Sequence, residues 1–179
     1  QTGMGRTGTL FAFEHYGIEP DIMAIGKGLG GGVPVSAVLI KEEVALLEPG
    51  EHGTTFGGNP LLAAAALGAT RWILDHELFR DAAVLGTYLM DRLGRLRTTS
   101  PLIREVRGRG LLVAAEFNRD IAAEVVQACA VRGLLTNSVR PNVLRLTPPL
   151  TVSEREIYEA VEIIEDALGA VLAARNAAA

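Results

Sequence analysis

The sequence predicts an α/β fold in two parts, and three observations support this. The first 76 residues are dense in glycine and combine short apolar runs with one long helical pattern. After residue 76 the hydrophobic pattern changes to strand-like runs that alternate with amphipathic helical patterns. A hydrophobic fraction of 49% argues against disorder. We therefore expect an α/β piece over residues 1–76 and a compact α+β piece over residues 77–179.

Two strands and a helix are predicted in the first part. Residues 21–26 form a short apolar run, and residues 33–40 form a β-branched run typical of a strand. A polar loop over residues 48–60 follows. Asn59 is a suitable N-cap, and the alanine-rich run over residues 61–74 follows it with proline at the first helical position.

The second part predicts three helices and four strands. A helical pattern covers residues 77–96, and two strand-like runs surround a turn at Gly108–Gly110, which indicates a hairpin. The last helix opens with a capping box formed by Ser153 and Glu156. The remaining predicted elements are a helix over residues 119–131 and strands over residues 134–138 and 143–147.

Composition excludes several classes of function. The formal net charge is −4, so no basic surface for nucleic acid is indicated. No apolar run reaches the roughly 20 residues of a membrane span. Cys129 is the single cysteine and is expected to be buried and inert, and the three histidines lack metal-ligand spacing. One cysteine and no visible targeting segment make the cytoplasm the expected compartment, and no metal is expected.

Two glycine patterns match the dinucleotide-binding motif G-x-G-x-x-G. They lie at Gly3–Gly8 and Gly26–Gly31. A dinucleotide-binding loop must open a helix that receives the pyrophosphate, whereas residues 33–40 after the second pattern predict a strand. A noncovalent dinucleotide-binding module is therefore a weak alternative.

A different function is indicated by Lys27, one of only two lysines in the chain. It follows a predicted strand and lies between glycines, which would let a planar group approach the backbone with the lysine as the side chain that reaches it. Lysine amines form covalent bonds to carbonyl compounds. A surface lysine in a flexible loop fits the local pattern as well, and Lys41, followed by two glutamates, is expected to be a solvated charge.

Two further signals concern anion binding. Thr54 and Thr55 precede paired glycines and a helix N-cap, so hydroxyls and backbone amides could bind an oxyanion or a phosphate, although an ordinary polar loop fits too. Arg145 lies inside an apolar strand and must either reach solvent or pair, with a carboxylate ligand or a structural salt bridge as the partner. Arg107 and Arg109 flank a turn and are expected to be surface charges.

Taken in order, these segments resemble the class III pyridoxal-phosphate-dependent aminotransferases, with the acetylornithine aminotransferase branch nearest. The resemblance implies the C-terminal part of a fold-type-I transferase, namely the end of the large domain and the small C-terminal domain. The segments that carry it are QTGMGRTGTLFAFEHYGIEPDIMAIGKGLGGGVPVSAVL, EPGEHGTTFGGNPL, REVRGRGLL, and GLLTN with VLRLTPPL.

The resemblance assigns roles to five residues. Lys27 is implied to hold the pyridoxal 5′-phosphate covalently and to move the proton between substrate and cofactor. Thr55 is implied to contact the phosphate of the partner subunit's cofactor in a homodimer, and Thr54 to lie near the substrate. Arg145 is implied to bind a substrate carboxylate, and Gln1 to lie close to the cofactor ring.

The resemblance also implies an incomplete active site. The family's aspartate that pairs with the pyridine nitrogen would lie three residues before Gln1, and other cofactor contacts lie further upstream. The expected reaction transfers the terminal amino group of N-acetylornithine to 2-oxoglutarate in arginine biosynthesis. Ornithine or 4-aminobutyrate as amino donor, or a non-catalytic remnant, are the alternatives.

Overall fold

The computed structural model describes residues 1–177, which divide into two compact units. The first unit comprises residues 1–80, and the second begins at Asp81. Each is described by itself. The domain boundary that the sequence predicts at residue 76 stays a prediction.

The first unit is built around a two-stranded antiparallel ribbon and one helix. The strands are β1 (Ile22–Ile25) and β2 (Ala37–Ile40), with Ile22 paired to Ile40 and Ile25 to Ala37. The helix α1 runs over Pro60–Asp75. Three short 3₁₀ helices complete the unit, at Ala12–Tyr16, Lys27–Gly30 and Glu42–Val44.

The predicted strand over residues 33–40 forms only in its second half. Before Ala37 the backbone folds back on itself, because the Val33 amide bonds the Gly30 carbonyl at 3.2 Å and the Val35 amide bonds the Val33 carbonyl at 3.0 Å. Pro34, between them, has no amide to donate to a ladder. The turn after Lys27 therefore includes Val33 and Val35, although their β-branched side chains favour a strand.

Asn59 caps α1 as the sequence predicts. Its Oδ1 accepts hydrogen bonds from the backbone amides of Leu61 at 3.0 Å and Leu62 at 3.3 Å, and Pro60 occupies the first helical position. The start of the helix is therefore set by local chemistry.

The second unit contains the larger hydrophobic core. Its sheet has the order β3-β4-β6-β5, and every neighbouring pair is antiparallel. The largest fully buried side chains include Leu93, Phe117, Ile121, Leu144 and Ile164. The elements are α2 (Leu78–Thr99), β3 (Ile103–Arg109), β4 (Leu112–Phe117), α3 (Ala122–Val131), β5 (Asn137–Arg140), β6 (Val143–Leu146) and α4 (Glu154–Ala177).

Strand β5 begins three residues later than the sequence predicts. The residues before it complete a Schellman motif at the end of α3, in which the Gly133 amide bonds Ala130 O and the Leu134 amide bonds Cys129 O, both at 3.0 Å. Gly133 has φ +86°, the left-handed conformation that this motif requires. The apolar residues after the glycine thus close the helix before the strand can start.

Other local predictions agree with the structure. The hairpin β3–β4 turns at Gly110, and Ser153 and Glu156 form the predicted capping box at the start of α4, with the Ser153 amide donating to Glu156 Oε2 at 2.8 Å. Cys129 is fully buried, and burial raises the pKa of its thiol. Within residues 1–177, no helix combines the length and apolar character needed to cross a bilayer.

An ion-pair cluster lies on one face of the sheet. Glu116 on β4 accepts from Arg107 at 2.7 Å and from Arg104 at 3.2 Å, and Arg107 also contacts Glu105 at 3.0 Å. The hydrogen bond from Arg107 is the main cause that lowers the pKa of the Glu116 carboxyl. Arg107, expected to be a plain surface charge, is therefore paired to two carboxylates.

Acid is expected to destabilise the chain partly through Glu116. A carboxyl whose pKa is lowered in the folded state stabilises it above the unfolded pKa, and this contribution is lost as the pH falls through the folded value. Glu116→Gln is therefore expected to reduce the loss of unfolding free energy between neutral pH and about pH 3. Urea unfolding followed by circular dichroism across that range measures it.

Glu165→Gln serves as the matched control. Glu165 is an exposed carboxylate on α4 that forms no ion pair among residues 1–177. The control is expected to keep the acid dependence of the original chain. Identical pH profiles for Glu116→Gln and the original chain would show that the ion-pair cluster contributes nothing in solution.

Candidate functional site

Lys27 occupies a strained turn directly after β1. It opens the 3₁₀ helix Lys27–Gly30 with φ +49°, in the left-handed region that side chains other than glycine rarely adopt. Its side chain is exposed, and its amine forms no hydrogen bond or ion pair with any residue of the described range 1–177. Strain of this kind is found at functional sites, and the free amine is available to a ligand.

Three glycines let the chain pack tightly around the Lys27 turn. A β-carbon at Gly28 would lie 3.1 Å from Met4 Cβ, and one at Gly31 would lie 3.1 Å from Ala69 Cβ on α1. At Gly30 it would lie 2.8 Å from a methyl of Val35. The turn is therefore enclosed by an N-terminal loop, by α1 and by the segment before β2, with the Lys27 side chain projecting from it.

The N-terminal loop that carries Met4 is held by a histidine. His15 Nε2 lies 3.0 Å from the Thr7 carbonyl oxygen and 3.1 Å from Thr9 Oγ1. The Gly5 amide also bonds the Leu10 carbonyl at 3.1 Å across the loop. These contacts order the segment that seats Met4 against the Lys27 turn.

Thr54 and Thr55 lie in the exposed turn that precedes α1. The Gly57 amide bonds the Thr54 carbonyl at 3.4 Å, and the turn leads directly into the cap at Asn59. Neither threonine hydroxyl forms a hydrogen bond to another residue in the described range. Asn59 already engages the amides of Leu61 and Leu62 at the start of α1, and the two hydroxyls are side-chain donors that this segment can offer to an anion.

Lys41 is a partly exposed charge, and it also has two acidic neighbours. Its ammonium group lies 3.1 Å from Asp21 Oδ1 and 3.3 Å from Glu19 Oε1. The hydrogen bond to Asp21 is the main cause that raises its pKa. Of the two lysines, Lys41 is thus ion-paired with acidic neighbours, whereas the Lys27 amine has no partner among residues 1–177.

Arg145 lies on β6 in the second unit. It is partly buried, and its Nε donates to Asn137 Oδ1 on β5 at 3.2 Å. No carboxylate within the described range lies within ion-pair distance of it. Both residues border a cavity of about 480 Å³ whose walls are mostly apolar. The cavity is also lined by Leu134, Leu135, Leu146, Pro148 and Pro149.

The predicted site residues are distributed over both units. Gln1, Lys27, Thr54 and Thr55 belong to the first unit, and Arg145 belongs to the second. Gln1 is exposed. No hydrogen bond joins any two of these five side chains within residues 1–177, and the same range contains no cluster of three potential metal ligands.

A sequence model of the family described as "Aminotransferase class-III" matches residues 1–168. The chain belongs to the class III aminotransferases. This match covers both units, including every residue proposed for the site.

Named relatives of this class III chain fall into two groups. Acetylornithine aminotransferase of Caldanaerobacter subterraneus is 44% identical over 171 residues, which are 96% of this chain and 44% of that protein. Ornithine aminotransferase of Plasmodium falciparum is 43% identical over 168 residues, which are 92% of this chain and 41% of that protein. The chain thus spans less than half the length of the curated relatives it matches.

A solved structure shows the same fold. The ornithine aminotransferase of Toxoplasma gondii superimposes with a TM-score of 0.92 and 40% identity, covering 98% of this chain and 42% of that one. That structure is described as having partial occupancy of pyridoxal phosphate at its active site. The predicted fold class, the C-terminal part of a fold-type-I transferase, is therefore confirmed.

Pyridoxal 5′-phosphate is the cofactor of the family, and the residues present fit it. The test is the donor set: among residues 1–177 the Lys27 amine has no partner and could bind the aldehyde, and the Thr55 hydroxyl has no partner and suits the phosphate of a cofactor. The glycines around Lys27 leave no side chain to compete with the lysine for the ligand.

Sequence reasoning missed three residues around this site. Met4 packs on Gly28, His15 orders the loop, and Asn137 holds Arg145. Met4 and His15 lie inside the segment that carries the family resemblance, but nothing in their local pattern signals a contact. Asn137 on β5 pairs with Arg145 on the neighbouring strand β6, and this pairing can be recognised only once the strand register is known.

Proposed function

We propose that this chain carries the cofactor-binding lysine and part of the substrate site of a pyridoxal-phosphate-dependent aminotransferase. The proposed reaction transfers the terminal amino group of N-acetylornithine to 2-oxoglutarate. The observation that supports it best is the exposed amine of Lys27, which has no partner among residues 1–177 and lies in a left-handed turn between glycines. Residues 1–76 would be the end of the large domain, and residues 77–179 the small domain.

Lys27 has two tasks in this proposal. Its Nζ would hold the cofactor covalently, and the same amine, when free, would take and return the proton that moves during amino transfer. The cofactor, when bound, supplies an electron sink. The glycines on both sides of Lys27 assist it because they place no side chain next to the lysine.

The other residues bind and orient. The Thr55 hydroxyl is proposed to donate to the phosphate of the partner subunit's cofactor in a homodimer, and Thr54 to lie beside the substrate. Gln1 is proposed to lie next to the cofactor ring. Arg145 is proposed to bind a substrate carboxylate through its terminal nitrogens, which no acidic residue of the described range engages.

The choice of amino donor rests on the relatives. Proteins named acetylornithine and ornithine aminotransferases both exceed 40% identity, so ornithine is the second candidate donor, and 4-aminobutyrate the third. The role in arginine biosynthesis follows from the first donor. Cytoplasmic location and the homodimer remain predictions from the sequence.

A fusion protein tests the reaction and the donor together. The N-terminal portion of the Caldanaerobacter relative is placed before Gln1, and amino transfer to 2-oxoglutarate is measured with N-acetylornithine, ornithine and 4-aminobutyrate. We expect the highest kcat/KM with N-acetylornithine, and no turnover from the 179 residues alone. The matched control is the same fusion with Lys27→Arg, which is expected to be inactive.

Three results of the fusion experiment would each contradict one part of the proposed function. An inactive fusion that still carries the cofactor on Lys27 would contradict aminotransfer as the function. A preference for ornithine would replace the proposed donor by the second candidate. Turnover by the 179 residues alone, comparable to that of the fusion, would contradict an incomplete site.

The dinucleotide alternative is disfavoured by the structure of the second glycine motif. The motif Gly26–Gly31 itself forms the 3₁₀ helix Lys27–Gly30 and its two caps, and the next element is strand β2, so no α-helix follows whose N-terminus could receive a pyrophosphate. Retention of a nicotinamide dinucleotide after gel filtration would revive this alternative.

A further inference from the structure

Two arginines on the same face of the second unit's sheet have different hydrogen-bond partners. The strand register places Arg107, Ala114, Arg145 and Asn137 in one row across β3, β4, β6 and β5. Residues paired in this way project from the same face. Arg107 is bonded to the carboxylates of Glu105 and Glu116, whereas Arg145 is bonded to an uncharged amide.

The side-chain amide of Asn137 contacts Arg145 through one of its three guanidinium nitrogens. Asn137 Oδ1 accepts from Nε at 3.2 Å, and Ala114, the neighbour on the other side, is too short to reach the guanidinium. Because the guanidinium is planar, a bond at Nε sets the plane of the whole group. Among residues 1–177, no acceptor engages the N–H groups of the two terminal nitrogens, and no carboxylate pairs with the positive charge.

From this geometry we infer that Asn137 is a positioning residue, which orients the Arg145 guanidinium for a ligand carboxylate. The inference rests on the proposed function where it takes the ligand to be a carboxylic acid. A fixed plane with both terminal nitrogens unshared matches the two oxygens of a carboxylate. An aspartate here would hold the same plane but would supply the anion itself, as Glu105 and Glu116 do for Arg107.

The cavity beside the pair suits this ligand class. Arg145 and Asn137 both line it, its volume is about 480 Å³, and leucines and prolines form much of the wall. Glu156 also lines it, but its carboxylate accepts hydrogen bonds from the Ser153 amide and hydroxyl, both at 2.8 Å. A short carboxylic acid could therefore bind Arg145 with its carbon chain against apolar walls.

The test uses nuclear magnetic resonance on the full 179-residue chain. The Nε–H signal of Arg145 is identified by its loss in Arg145→Lys and is followed during titration with glutarate, an unreactive dicarboxylate. Two variants separate orientation from charge: Asn137→Ala removes the acceptor, and Asn137→Asp keeps an acceptor of the same shape but adds a charge. Ser138→Ala, on the same strand, is the control, because Ser138 is exposed and forms no side-chain hydrogen bond within residues 1–177.

The inference predicts a distinct pattern. Asn137→Ala should speed exchange of the Arg145 Nε–H proton with water and weaken glutarate binding about fivefold, the value of one hydrogen bond. Asn137→Asp should keep that proton protected yet weaken glutarate binding at least as much as Asn137→Ala. If Asn137 had only a structural role, Asn137→Asp would not weaken glutarate binding while the Arg145 Nε–H proton stays protected from exchange.

Two results would contradict the inference, and only the second would also contradict the proposed substrate role of Arg145. Unchanged proton exchange and glutarate affinity in Asn137→Ala would remove the positioning role and leave Arg145 as a carboxylate site. No response of Arg145 to glutarate in the original chain would remove both the positioning role and the substrate role of Arg145. Neither result bears on Lys27, whose cofactor attachment is measured separately.

Discussion

Replacing Lys27 by arginine is expected to abolish site-specific attachment of pyridoxal 5′-phosphate to this chain. Arginine keeps the positive charge and the length but cannot form the covalent bond, because its guanidinium does not lose its proton at neutral pH. The chain is incubated with the cofactor, reduced with borohydride, digested and analysed by peptide mass spectrometry. In the original chain we expect the adduct on Lys27, and in Lys27→Arg we expect labelling to fall to the background level of Lys41.

Lys41→Arg is the matched control, since the chain has only these two lysines. Lys41 is engaged by Asp21 and Glu19, whereas the amine of Lys27 has no partner in the described range. The control is therefore expected to label as the original chain does. Equal labelling of Lys27, Lys41 and the N-terminal amine would mean that the turn around Lys27 confers no selectivity, and the proposed function would lose its main support.

The second large effect is expected at Gly86, where α2 touches the hairpin β3–β4. A β-carbon on Gly86 would overlap the carbonyl group of Gly110 and lie 2.6 Å from its α-carbon. Backbone atoms cannot rotate away as a side chain can, so Gly86→Ala must displace the helix or the turn. We expect the free energy of unfolding of the second unit to fall by about 2–3 kcal/mol, as for overpacked cores.

Gly94→Ala provides a control on the same helix. Nothing lies within 4 Å of the position that a β-carbon on Gly94 would take. Alanine is the better helix former, so this change should raise the free energy of unfolding by about 0.5–1 kcal/mol. Urea unfolding monitored by circular dichroism measures both variants. A higher free energy of unfolding in both variants would show that helix propensity, and not the contact at Gly110, governs these positions.

Much of the local structure could be predicted from short sequence patterns. Asn59 before a proline and an alanine-rich run predicted the start of α1, and the Ser153–Glu156 pair predicted the start of α4. The hairpin at Gly110 was likewise indicated by its glycines. Caps and tight turns depend on a few consecutive residues, so a single sequence is enough to identify them.

Two strand starts were wrong because local backbone hydrogen bonds use residues that favour a strand. Strand β2 starts late because the turn after Lys27 uses its first residues, and β5 starts late because α3 ends in a Schellman motif that reaches Leu134. Other contacts join residues that are far apart in the sequence. Lys41 pairs with Asp21, twenty positions away, and Arg107, a surface charge as predicted, also bonds Glu116 on the neighbouring strand. Neither of these contacts leaves a periodic signal in the sequence.

Motif order, composition and local backbone preference were enough to indicate the family, to leave two lysines as candidates for a covalent anchor, and to place the long helices approximately. Other features are visible only in the folded chain. Lys41 pairs with Asp21, whereas the Lys27 amine has no partner among residues 1–177; Met4 packs on Gly28, and Asn137 accepts a hydrogen bond from Arg145. Ion pairs, close backbone approaches and cross-strand hydrogen bonds form between residues that folding brings together, and their energies depend on distances that the order of residues does not contain.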